Sequence, residues 1–260
     1  MIRFDKLESE FGIIADQWTN AMPFRHVILD DFANTEGLCR LLDELPNPES
    51  QVLNKSRDYI FAKNKFEKSG FNSFGELSAE LYNDLVSDRF ASFLSGLTGR
   101  EVWIDRDFHG GGLHQGGPGS YLDMHVDFNV HPLHAEWFRD LNVLLYLNRD
   151  WRNEYGGQLK LKNAVDATST EVDPVFNRCV IMETRDYTLH GYDALNFPPG
   201  HYRRSIACYA YSRLSGDVKS HSTTWYPEHS GFAKRMLGRS WPKLVAIKSS
   251  LIGSRTTKNK

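Results

Sequence analysis

The triplet His125-Val126-Asp127 constrains this chain more than any other feature, because its two polar side chains can act together only if the backbone is extended. In a strand, residues i and i+2 point to the same face, so an imidazole and a carboxylate so spaced can reach one metal ion. The segment Ser120 to Phe128 suits that conformation, since Tyr121, Leu122, Val126 and Phe128 are residue types favoured on a pleated, partly buried surface. A third ligand has to come from another strand. Phe176 to Met182 reads as such a strand, and its end delivers a turn carrying Thr188, Leu189 and His190. Two imidazoles and one carboxylate are the ligand set of a facial triad that holds ferrous iron and leaves three positions open.

Arg203 begins the next strand candidate, Arg203 to Ser212, in which Ile206, Cys208 and Ala210 alternate with Ala207, Tyr209 and Tyr211. A guanidinium there can pair bidentately with the far carboxylate of a dicarboxylic cosubstrate whose other end chelates the metal. Arg204 competes for the role, but successive strand residues face opposite sides, and register against Ser205 and Ile206 favours Arg203. A bare His-x-Asp arises often by chance in a chain with ten histidines. The ordered set of His-x-Asp strand, later His and strand-opening Arg is the specific signal.

With those residues in place, His114 to Ser212 resembles the 2-oxoglutarate- and Fe(II)-dependent oxygenases, and within them the prolyl 4-hydroxylase-like group. Leu144-Leu145-Tyr146-Leu147-Asn148-Arg149-Asp150-Trp151, followed by Gly156-Gly157-Gln158-Leu159, is similar to that group's Tyr-Leu-Asn-Lys-Asp-Trp and Gly-Gly-x-Leu signature. Gly119 to His125 resembles its Gly-x-x-Leu-x-x-His approach to the first ligand, with one extra residue. The resemblance implies a double-stranded β-helix, a jelly-roll or cupin-like barrel that is mainly β with flanking helices. It implies His125, Asp127 and His190 as catalytic iron ligands, and Arg203 with Tyr146 as holders of the C5 carboxylate of 2-oxoglutarate. Leu144 and Leu159 would line the cosubstrate pocket. Gln115 and Asn142 stand where the group often has a tyrosine and a threonine, so their contacts to the cosubstrate are open.

The implied cofactors are Fe(II), 2-oxoglutarate as cosubstrate and O2, with ascorbate a candidate reductant. The implied reaction hydroxylates an unactivated C–H of a small molecule, amino acid or prolyl-type substrate and releases succinate and CO2. Asp127 keeps a carboxylate where related halogenases have a small residue, which points to hydroxylation or another ordinary oxidation. Two other classes compete. A cupin-like metal protein without 2-oxoglutarate chemistry would have no reason to hold Arg203 and Tyr146 around the metal. A noncatalytic binding module is usually marked by a lost ligand, and none is lost here.

Composition agrees with an enzyme of this kind. At 260 residues the chain can bury one large core, and it is expected to be a single oxygenase domain: a helical buttress with the first strands over 1–100, the barrel over 101–213 and an extension over 214–260. A formal net charge of -2 gives no reason to expect a nucleic-acid partner. No apolar run approaches the roughly 20 residues of a membrane span, and the start lacks a signal peptide's apolar core, so no membrane partner is expected. Cys39, Cys179 and Cys208 have no metal-ligand or redox spacing. A cytoplasmic setting fits free thiols and ferrous iron; oligomeric state is not legible.

Outside the motifs, Phe24 to Asp31 reads as a strand and Thr35 to Leu45 as a helix closed by Pro46. Asn72 to Leu97 reads as one or two helices, with Phe74, Leu77, Leu81, Leu85, Phe90, Phe93 and Leu94 as a core-facing stripe. Glu101 to Phe108, Asp140 to Asn148 and Gly157 to Lys162 read as further barrel strands. His131 and His134 lie in Asn129 to Arg139, read as a loop or short helix over the site; a second metal there is the lesser reading. His109 and His114 flank Gly110-Gly111-Gly112, read as a flexible turn. Ser56 to Phe66 reads first as a packed irregular loop and second as a substrate-facing lid. The tail from Thr223 is expected to form a short helical extension, with Ser254 to Lys260 disordered. Substrate choice is expected to lie in Asn54 to Phe71, His109 to Gly119 and Asn129 to Arg139, the middle one and the last forming a mobile rim.

Overall fold

Arg203–Arg213 forms a central strand of a long antiparallel sheet, and its alternation sorts the molecule's side chains into an inner and an outer set. The computed structural model describes residues 1–48, 50, 54–55, 58, 60–228, 231 and 233–241. In chain order the strands are β1 (His26–Leu29), β2 (Asn54–Lys55), β3 (Ala62–Lys68), β4 (Trp103–Ile104), β5 (Gly112–Val126), β6 (Trp137–Tyr146), β7 (Leu159–Asn163), β8 (Ser169–Val172), β9 (Cys179–Glu183), β10 (Thr188–Tyr192), β11 (Arg203–Arg213) and β12 (Thr224–Trp225). The hydrogen-bonded path runs β1-β9-β6-β11-β5-β10-β7-β8. β5 turns the corner, because residues 112–116 pair with β11 whereas Leu122 and His125 pair with β10. The sheet thereby curls into the expected double-stranded β-helix of jelly-roll type.

The outer face is apolar and covered by helices α1 (Phe4–Ser9), α2 (Phe11–Asn20), α3 (Thr35–Glu44), α4 (Glu76–Leu85) and α5 (Asp88–Thr98). Leu113, Leu141, Val143, Ile181, Ile206 and Cys208 form the sheet side of that core, and the stripe from Phe74 to Leu94 packs on it as expected. The stripe is split between two helices because Ser87 accepts from the Phe90 N–H and starts α5, which Gly99 closes in a left-handed conformation. α4 has a nonlocal cap: the Glu44 carboxylate, at the end of α3, accepts from the N–H groups of Leu77 at 2.9 Å and Ser78 at 2.8 Å. The inner set, Tyr146, Leu159, Leu161, Val180 and Met182, fills the closed end of the barrel.

Several expectations are corrected. Ala62 onward is a strand, β3, where an irregular loop was expected, since it lies along β5 and fills that strand's hydrogen-bonding edge, with one irregularity at Asn64. His190 sits within strand β10 and not in a turn, paired with His125 on one side and Leu161 on the other. The glycines from Gly112 onward belong to β5, so the segment before His125 is built in rather than looped out. Gly112, at φ 95°, takes a backbone conformation that a side chain would strain, and an added Cβ would collide with the Lys68 carbonyl. Residues 129–136 contain no helix, and β6 begins already at Trp137. Only Trp103–Ile104 of Glu101 to Phe108 is strand. The tail supplies β12 before a helical stretch at 233–241, and Ser254 to Lys260 lie outside the described residues.

Candidate active site

β5 and β10 bring the three candidate ligands together. His125 and His190 are direct cross-strand partners with ring centroids 4.2 Å apart, and Asp127 follows the last residue of β5. One donor atom from each of the three lies within 4.8 Å of the others. His125 Nε2 is 3.5 Å from Asp127 Oδ1, and His190 Nε2 is 3.4 Å from Asp127 Oδ2. His125 Nδ1 lies 2.9 Å from the Asp123 carbonyl, which assigns a ring proton to Nδ1 and turns Nε2 toward Asp127. Burial, followed by the neighbouring His125, pushes His190 down to about 3, so its ring is neutral at ordinary pH. Two imidazoles and a carboxylate converging on one point fit a divalent first-row metal.

The carboxylate is oriented by a residue that the motif does not contain. Arg139, buried at 1 % exposure, donates from one terminal nitrogen to Asp127 Oδ2 at 2.9 Å, and Asn142 Nδ2 donates to the same oxygen at 2.8 Å. Asn142 Oδ1 in turn accepts from Arg139. Arg139 and Asn142 share a face although three residues apart, because Arg139 opposes Tyr211 and Leu141 opposes Ala210, leaving Asp140 as the extra residue of a bulge. The guanidinium also lies 3.4 Å from the centroid of the Tyr209 ring. Burial opposes the charge on Asp127, but Arg139 and the two histidines outweigh it and hold the carboxyl well below its usual range. Sequence reasoning missed Arg139, whose only signal was a charged residue inside an apolar strand.

A cavity of about 230 Å³ opens beside the triad. Leu144, Leu159, Asn142, Gln115 and Arg203 border it together with His125, Asp127 and His190. Arg203 is fastened deep in it: Nε donates to the Gly157 carbonyl at 2.7 Å, one terminal nitrogen donates to the Tyr146 hydroxyl at 3.2 Å, and the group lies 4.4 Å from the Tyr192 ring centroid. Gly157, at φ 81°, is needed for this approach, as an added Cβ would sit 3.0 Å from Arg203 Cδ. Arg204 faces the other way, as Ile206 and Cys208 do.

Two candidate contacts sit differently from expectation. Asn142 is spent on Asp127 and Arg139. Gln115 borders the cavity, yet its partners across the sheet are Arg204 and Phe66, on the face that packs toward the helices. The inner residue is its neighbour His114, paired with Ser205, whose Nε2 is buried without a hydrogen-bond partner. Counting alternation back from the partner of Arg203 identifies it. Trp225, from β12, was also unforeseen; its ring lies 4.7 Å from that of His125 and stacks on Phe61 at 5.1 Å. His131 and His134 are neighbours at 4.9 Å, but among the described residues only the triad brings three donors within metal-binding distance.

Residues 111–211 match the family model of the 2OG-Fe(II) oxygenase superfamily. No curated protein matches the sequence. Among solved structures, a Trichoplax adhaerens prolyl hydroxylase, in complex with a hypoxia inducible factor oxygen degradation domain peptide fragment, is similar at TM-score 0.60 and 18% identity, over 80% of this chain and 92% of that one. A Pseudomonas putida prolyl-4-hydroxylase is similar at TM-score 0.55 and 17% identity, over 78% and 98%. The non-heme alpha ketoglutarate dependent epimerase SnoN, from nogalamycin biosynthesis, is similar at TM-score 0.54 and 10% identity, over 86% and 89%.

Proposed function

We propose that the chain, whose residues 111–211 match the family model of the 2OG-Fe(II) oxygenase superfamily, is a single-domain dioxygenase of that kind, hydroxylating an unactivated C–H of a small-molecule, amino-acid or prolyl-type substrate. The observation that carries the reading is one cavity with the His125, Asp127 and His190 donors on one wall and Arg203, which donates to the buried Tyr146 hydroxyl behind it, on another. Iron bound by the triad supplies activation of O2 coupled to decarboxylation of 2-oxoglutarate to succinate.

The chain's own residues do the placing. Arg203 offers a guanidinium already oriented by Gly157 and Tyr146, so a carboxylate arriving there finds a charged donor with little side-chain freedom left to lose. Leu144 and Leu159 give the cosubstrate's methylene segment apolar walls. Arg139 and Asn142 keep one oxygen of Asp127 occupied and the carboxylate plane fixed, leaving the other oxygen for the metal. The pocket decides which C–H lies nearest the reactive centre. Burial of Cys179 and Cys208 pushes both thiols up, so they do not compete for iron, and a reducing cytoplasm suits them and ferrous iron alike. No helix among the described residues is long and apolar enough to cross a membrane.

Anaerobic addition of Fe(II) and 2-oxoglutarate should produce a metal-to-ligand absorption band, and admission of O2 should yield succinate. A protein that binds iron but shows neither band nor succinate would be a metal-binding barrel without this chemistry.

A further inference from the structure

We propose that the substrate carries an anionic oxygen group, a carboxylate or a phosphate, and that Lys65 binds it; the inference rests on the oxygenase reading above. Lys65 borders the same cavity as the triad and Arg203, although it comes from β3, a strand outside the main hydrogen-bonded path. Register fixes its direction. Phe66 opposes Gln115 and packs on the helical core, so Lys65, one residue earlier, faces inward, opposite Gly116. Arg203 is the partner of Gly116 on the other side. The two cations thus flank one glycine across three adjacent strands, with Cα atoms separated by about 10 Å, two strand spacings. Gly116 places no side chain between them.

The backbone is distorted to deliver this lysine. Lys63 opposes Tyr121 and Lys65 opposes Gly116, so Asn64 interrupts the ladder and residues 117–120 of β5 have no partner in β3. Asn64 has φ 51°, an uncommon conformation for a residue with a side chain. It is held there by the Asp58 carboxylate, which accepts from its N–H at 2.7 Å, and by its own Nδ2, which donates to the Pro118 carbonyl at 3.1 Å. Irregularities of this kind re-aim a side chain, and they concentrate at sites.

The charge balance needs an anion. Lys65, Arg139 and Arg203 line the cavity against a single carboxylate, Asp127, a surplus of two positive charges. A divalent metal and the 2-oxoglutarate dianion cancel each other and leave that surplus in place. Lys65 Nζ forms an ion pair with the more exposed Glu67 at 3.7 Å, too long for a hydrogen bond, and makes no hydrogen bond among the described residues although its side chain is only 20 % exposed. The cosubstrate has no carboxylate to spare for it, because one lies at Arg203 and the other at the metal. A partly buried ammonium beside two guanidinium groups is stabilised when an incoming anion pairs with it.

The test measures succinate formation by the iron-loaded protein with matched probes: free amino acids and dipeptides beside their carboxamides, and sugar phosphomonoesters beside the parent sugars. We expect stimulation above the uncoupled level by members of one acid arm only, which also tells carboxylate from phosphate. Lys65→Met should raise the KM of a stimulating acid at least tenfold and that of 2-oxoglutarate less than threefold, Lys65→Arg should recover most of the loss, and Lys65→Glu should not. Equal stimulation by carboxamides or parent sugars, stimulation by no acid, an unchanged KM in Lys65→Met, or a larger effect on 2-oxoglutarate than on the acid overturns the inference. Absence of both the anaerobic absorption band and any succinate in the unaltered protein overturns the oxygenase reading instead.

Discussion

Arg139 reaches Asp127 across the barrel at 2.9 Å with its guanidinium 3.4 Å from the Tyr209 ring centroid, so the candidate ligand carboxylate is half of a buried ion pair. Removing one member of such a pair leaves the other charged and unpaired, at a cost of about 3 to 5 kcal/mol. Arg139→Met should therefore destabilise the protein by that amount in urea unfolding and weaken iron binding. Asn142→Ala, which deletes hydrogen bonds and no charge, should cost less, about 1 to 3 kcal/mol. A larger loss in Asn142→Ala than in Arg139→Met would mean that Asp127 is not oriented through the guanidinium.

The strand register makes a sharp distinction between two adjacent arginines. Arg203 faces Tyr146 and the cavity, whereas Arg204 sits on the opposite face, its N–H donating to Asn148 Oδ1 at 2.6 Å. Arg203→Ala should weaken 2-oxoglutarate binding by about 2 to 5 kcal/mol, the usual cost of truncating one side of a buried charged contact. Arg204→Ala should shift it far less. Titration of the anaerobic absorption band with 2-oxoglutarate reads both, and the reverse order would move the register by one residue.

Why Arg203 was legible and Arg139 was not comes down to what periodicity encodes. Alternation along β11 is unbroken from Arg203 to Ala210, so counting residues gives the facing. In β6 the bulge at Asp140 resets the count, and no pattern in Trp137 to Tyr146 announces it. The same limit separates His114 from Gln115, which differ only in register. The triad's residue types and order were readable because a facial metal site asks for two imidazoles and a carboxylate, and the structure brings those three side chains together. β3 and Trp225 were not, because both owe their positions to long-range pairing with β5 rather than to local sequence. Stripes such as Phe74 to Leu94 were readable because a helix buries one face wherever it packs.

His125 and His190 are cross-strand partners, and loss of either removes one of the donors that converge on the same point. Iron content and succinate formation should both collapse in His125→Ala and in His190→Ala, measured by metal analysis and product assay. Full occupancy with normal turnover in His190→Ala would remove β10 from the site.

Acid should destabilise the metal-free protein through buried neutral histidines. His114 is held well below its usual range by burial and then by Lys65, and His190 is pushed down to about 3 by burial and then by His125. The unfolded chain binds these protons near pH 6.5 and the folded one only at much lower pH, so the unfolded state carries more protons throughout the window between. Stability attributable to the two rings is fully present above about pH 6.5 and is lost as pH falls from there, for His190 toward about 3, by about 1.4 kcal/mol per pH unit for each. His114→Gln cannot take up that proton. Between pH 6 and pH 5 the urea-derived stability of the unaltered protein should therefore fall more steeply than that of His114→Gln, by about 1.4 kcal/mol over that unit. Parallel slopes would show that His114 titrates in the folded protein as it does in the unfolded chain, against the burial of its unpartnered Nε2.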